Sequence, residues 1–104
     1  MEQNLIPGQQ ITLATATTLT GNFRLKYPNA IKGYLVSAEN IKMILDQAGC
    51  TGIRIYNGYD EVTGQITPVI VGTNASNNDI CSGVIMDKAA PCPSFCDASS
   101  ALCK

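Results

Sequence analysis

Gly52-Ile53-Arg54-Ile55-Tyr56-Asn57-Gly58, continuing through Tyr59–Gly64 into Gln65-Ile66-Thr67-Pro68-Val69-Ile70-Val71, decides the fold. Over 52–57, Ile53 and Ile55 alternate with Arg54 and Tyr56, the two-residue period of a strand. Residues 58–64 are polar and bounded by glycines, as a turn region is. Residues 65–71 are rich in β-branched side chains and read as a second strand. So short a connection favours antiparallel pairing. Pro68 has no N–H to give to a ladder, so its strand is expected at an edge or with a bulge.

Upstream lies the clearest helical signal. Ser37 suits an N-cap, Glu39 sits in the first turn, and Ile41, Ile44, Leu45 and Ala48 recur with helical spacing. On this pattern Leu45 anchors the core, and Gly49 closes the helix. Residues 31–36 read as a strand. Residues 8–26 read as a helix opened by Pro7 and stopped at Tyr27-Pro28, after a short leader at 1–7. Thr12, Thr15, Thr17, Thr18 and Thr20 are weak helix formers, so a strand over 10–19 stays open. Downstream, 73–78 is a polar turn and 80–86 a fourth short strand weakened by Gly83. Beyond Lys88 the pattern dissolves into coil.

The expected class is therefore α+β: a small antiparallel sheet of three to four strands, two helices on one face, and a cysteine-bearing coil tail. The expected division is a globular domain at 1–88 and a tail at 89–104, packed on the domain or tethered to it.

Composition bounds the function. The net charge is −1 and the seven Lys and Arg are scattered, which leaves no footprint for nucleic acid or an anionic membrane. Charged residues make up only 14%, against about 25% in an ordinary soluble domain. From Gln3 to Phe23 there is no charge, yet Pro, Gly, Gln and Thr interrupt the run too often for a membrane span. It also lacks the basic start of a signal peptide, which points to the cytoplasm. Export by a route without an N-terminal signal stays open. A surface poor in Lys and Glu suits contact with another protein; a neutral hydrated surface is the alternative.

Gly52–Gly58, Pro68-Val69-Ile70-Val71-Gly72, Asn78-Asp79 and Cys92-Pro93 with Cys96 together resemble a group of small bacterial proteins with no assigned activity. The resemblance covers about residues 20 to 96. It implies a shared fold and transfers no functional residue.

Four of the five cysteines, Cys81, Cys92, Cys96 and Cys103, lie near the C-terminal end. Thiolate metal sites use four soft ligands, often as tight pairs two to four residues apart. Cys92 and Cys96 make such a pair; Cys81 and Cys103 do not, so a zinc site is an alternative to having no cofactor. Disulfides are the rival, at odds with a reducing cytoplasm. Cys50 and Cys81 also suit packing as small hydrophobes. A thioredoxin-type centre is disfavoured by the three-residue spacing and by Pro93.

The chain has no His, phosphate loop or paired-carboxylate motif, which weighs against an enzyme. Asn74, Asn77, Asn78 and Asp79 read as an Asx-rich turn rather than a calcium loop. Tyr34, Arg54 and Tyr56, with Tyr59, are candidates for a contact patch, the alternative being cross-strand packing. Thr17 and Thr20 are the candidates on the uncharged first helix. The expected function is a non-catalytic interaction or self-assembly module whose partner is itself, as oligomer or filament, or another protein. A small thiolate metal-binding protein is the alternative.

Overall fold

A computed structural model describes residues 7–103; the first six residues of the expected leader lie outside them. The elements are α1 (Leu13–Lys26), β1 (Gly33–Leu35), α2 (Ala38–Leu45), β2 (Gly52–Asp60), β3 (Gln65–Thr73), β4 (Ile85–Met86) and β5 (Ala90–Cys92). The class is α+β. The strands divide between two antiparallel sheets, one ordered β2-β3-β4 and one pairing β1 with β5. The chain forms two compact units: Leu35–Ala90, and Met1–Tyr34 together with Pro91–Lys104.

In the 35–90 unit, β2 and β3 form a nine-residue antiparallel hairpin from Gly52↔Thr73 to Asp60↔Gln65. The turn closes at Gly64, whose positive φ of 70° suits glycine. α2 packs against both strands. A Cβ on Gly72 would lie 3.0 Å from Cys50 Sγ and 3.2 Å from Ile44 Cγ2, so glycine lets helix and strand approach closely. Among the described residues the buried aliphatic side chains of the core are Ile44, Ile70 and Val71.

Ser37 caps α2 as expected, its side chain accepting from the Asn40 N–H at 3.2 Å. The helical face is turned relative to the expectation. Ile44 is fully buried, whereas Leu45 is 47% exposed and is no anchor. With only eight residues, α2 presents a narrow stripe, and the neighbouring inward position is taken by Gln47. Its Oε1 accepts from the Val84 N–H at 2.7 Å and its Nε2 donates to the Ile44 carbonyl at 2.9 Å.

Pro68 is not on an edge strand: β3 is the central strand. The Gly72 carbonyl accepts from the Ile80 N–H, on the β4 side. By alternation Pro68 turns its N toward that side too. There β4 pairs only with Ile70 and Val71, so the missing donor interrupts no ladder bond. The expected strand at 80–86 is reduced to Ile85–Met86, with an isolated bridge between Thr73 and Asp79.

In the other unit, α1 begins at Leu13, not near Pro7. Thr12 is its N-cap, with Oγ1 accepting from the Thr15 N–H at 3.1 Å. The threonines that argued for a strand are accommodated by bonding back to the helix. Thr18 Oγ1 donates to the Ala14 carbonyl at 3.1 Å and Thr20 Oγ1 to the Thr17 carbonyl at 3.3 Å. The segment expected as plain coil contains β5, which pairs with β1; the adjoining Lys32 N–H donates to the Cys92 carbonyl at 2.6 Å. No described residue of this unit is buried.

Candidate functional site

β2 is an edge of the three-stranded sheet. The Thr73 carbonyl faces β2, accepting from the Thr51 N–H, whereas Gly72 faces β4. Alternation along the antiparallel pair then turns the N–H and C=O groups of Ile53, Ile55, Asn57 and Tyr59 outward from β2. These four residues also share one face, because Ile53 pairs with Gly72, against which α2 rests. The short helix leaves much of that face open, with Ile55 60% and Tyr59 66% exposed.

Arg54 and Tyr56 occupy the opposite face of β2. Both reach Asp79: Arg54 Nη1 bonds Oδ1 and the Tyr56 hydroxyl bonds Oδ2. Arg54 Nη2 also donates to the Asn77 carbonyl at 3.0 Å. The Tyr56 hydrogen bond, aided by Arg54, holds the Asp79 carboxyl below its ordinary pKa against a smaller opposing effect of desolvation. The bond to Asp79 raises the Tyr56 phenol and the Arg54 guanidinium. The loop is shaped by Asn74, whose Oδ1 accepts from the N–H groups of Ser76 and Asn78 at 3.0 Å each. Asp79 was legible only as a turn residue; its partners lie 23 and 25 positions away.

The expected tyrosine patch is split. Tyr59 lies on the α2 side, opposite to Arg54 and Tyr56, and Tyr34 lies on β1 in the other sheet. Thr17 and Thr20 are half-buried on α1. Thr20 lines a cavity of about 200 Å3 with Leu19, Phe23, Arg24, Lys32 and Leu102.

The tail cysteines separate from the rest. Cys92 and Cys96 form a disulfide with Cα atoms 4.7 Å apart. Cys103 Sγ lies 3.6 Å from Cys92 Sγ, and all three sulfurs lie within 4.8 Å of one another. Cys81 does not join them: it is exposed, which also removes it as a packed hydrophobe. Cys50 is half-buried, its thiol 3.2 Å from the Gly52 carbonyl oxygen. The Leu102 carbonyl beside Cys103 accepts from Arg24 Nη1 at 2.6 Å, a fastening that the sequence did not signal.

Among the described residues no helix is long and apolar enough to cross a membrane. Comparison with protein-family models, curated proteins and solved structures finds no match to this chain.

Proposed function

We propose that the chain is a self-assembling module that works by contact rather than catalysis, with a second copy pairing along β2. The observation that carries this is the unguarded edge. Nine residues long, β2 has neither Lys nor Pro, and its one cation, Arg54, is engaged by Asp79. Its outward positions are the α2-side residues Ile53, Ile55, Asn57 and Tyr59.

The strand is complementary to itself. An antiparallel two-fold pairing centred on Tyr56 overlaps all nine residues and brings outward positions opposite outward positions. It sets Ile53 against Tyr59 of the second copy, a β-branched–aromatic pair, and Ile55 against Asn57. On the other face it sets Arg54 against Gly58, with Asp60 diagonally adjacent, so the charges are opposite in sign. A closed dimer with a continuous six-stranded sheet results.

The test is mass in solution from micromolar to millimolar concentration. Ile55→Pro removes an outward N–H and leaves the β2–β3 ladder its bonds, so it is expected to yield a folded monomer. Thr17→Glu and Thr20→Glu are expected to leave the dimer intact. A wild-type chain that stays monomeric throughout overturns the proposal. A dimer that survives Ile55→Pro removes β2 from the interface.

The three tail sulfurs support a second reading, a soft-metal site formed when the bridge is reduced. Cys92, Cys96 and Cys103 would then supply three of the four ligands a zinc ion takes. Native mass spectrometry of the reduced chain with zinc tests it, and a Cys96→Ser variant that binds equally well would exclude it.

A further inference from the structure

A free thiol stands beside the disulfide, and the backbone holds both sulfurs in place. Cys92 is fixed in β5 and by the Lys32 N–H on its carbonyl. Cys103 is fixed by its own N–H, which donates to the Ser100 carbonyl at 3.1 Å, and by Arg24 on the neighbouring Leu102 carbonyl. The resulting Sγ–Sγ separation of 3.6 Å is contact distance, with Cys92 the bridge sulfur in contact. Cys92, Cys96 and Cys103 are half-buried rather than sealed. The other two cysteines, Cys50 and Cys81, lie outside the cluster.

We infer that Cys92, Cys96 and Cys103 form a thiol–disulfide exchange site in which the bond migrates between Cys92–Cys96 and Cys92–Cys103. The Cys103 thiol gives its proton to water, and the thiolate attacks Cys92 Sγ. The Cys92–Cys103 bond forms as the Cys92–Cys96 bond breaks. The electron pair leaves on Cys96 Sγ, which takes up a proton from solvent. One disulfide and one thiol are present before and after, so no oxidant or reductant is consumed. Attack by thiolate on a disulfide sulfur is the general route of such exchange, and holding the groups in contact replaces a bimolecular encounter. Cys92 is the shared sulfur, and the free thiol alternates between Cys103 and Cys96.

The same trio would accept oxidation by a low-molecular-weight disulfide. One tail thiolate displaces half of it, forming a mixed disulfide and releasing one small thiol. A second tail thiolate then displaces the other half, giving the internal bridge and a second small thiol. The third cysteine remains to move the bond. This inference does not depend on self-association.

The test uses the full chain, reduced and then oxidised with oxidised glutathione. Samples held at several pH values are quenched in acid and freed of the oxidant. They are then alkylated and mapped by mass spectrometry. Both bridges are expected, with label on Cys96 as well as Cys103. Their interconversion should quicken as pH rises, because only the thiolate attacks. The rate should not depend on protein concentration. Cys103→Ser should leave Cys96 unlabelled, while a variant carrying Cys50→Ala and Cys81→Ser should exchange like wild type. Label confined to Cys103 after hours at alkaline pH overturns the inference. So does a bridge formed chiefly elsewhere, or a rate that grows with protein concentration.

Discussion

The two units of this small chain are held together by different physics. The 35–90 unit has a hydrophobic centre: Ile44 from α2 meets a β3 strand carrying Ile70 and Val71, all three buried. The other unit has no buried side chain among its described residues. It relies instead on a helix cap, a two-stranded pairing, the Arg24 bond to Leu102 and a disulfide spanning only Cys92 to Cys96. Hydrophobic burial is non-directional and tolerates sequence change if volume is kept, whereas caps and clips fail singly. Helical length alone does not make a core: α1 is the longer helix and has no fully buried residue, α2 the shorter and buries Ile44.

The sharpest way to break this contrast is to hollow the core. Ile44→Ala is expected to destabilise the 35–90 unit by about 2–5 kcal/mol in denaturant titration, the range for buried aliphatic truncation. Leu45→Ala, one position on and half exposed, is expected to cost about 1 kcal/mol or less. Equal losses would mean that the helical face is misassigned.

The clip-held unit gives a smaller effect. Thr12→Ala removes the α1 cap and is expected to cost about 0.5–2 kcal/mol locally. Hydrogen exchange should show it as faster exchange in α1 with unchanged protection in β2 and β3. Acceleration spread evenly over both units would show them unfolding as one.

The Arg54–Asp79–Tyr56 cluster provides a test of pH dependence within the core-bearing unit. The Asp79 pKa is depressed in the fold, so its contribution is present above the unfolded carboxyl pKa and lost as pH falls through the folded value. The Tyr56 pKa is raised, so its contribution is present below the unfolded phenol pKa and lost as pH rises through the folded value. Tyr56→Phe is expected to raise the Asp79 pKa toward its ordinary range, measured by carboxyl NMR titration. An unmoved Asp79 would show that the Tyr56 hydrogen bond does not hold it down.

The smallest effect is expected at Lys42, which pairs on the surface with Asp46 at 2.9 Å. Both side chains are mostly exposed, so Lys42→Ala should change stability by no more than about 0.5 kcal/mol.

By itself the sequence determined the elements whose causes are local. Alternating Ile with Arg and Tyr marked β2, Ser37 marked a cap, and the glycines marked the hairpin turn, because period and backbone freedom act within a few residues. The α+β class followed from their order. The grouping of Cys92 with Cys96 was equally legible from spacing. The tertiary structure alone decided what depends on distant partners. It placed Ile44 rather than Leu45 inward, because the face of a two-turn helix is set by the sheet it rests on. It seated Pro68 in a central strand, because β4 stops short of it. It joined residues around 33 to those around 91, brought Cys103 but not Cys81 to the bridge, and gave Asp79 its two partners. None of these contacts has a sequence period, since each closes a loop whose ends meet only in the folded chain.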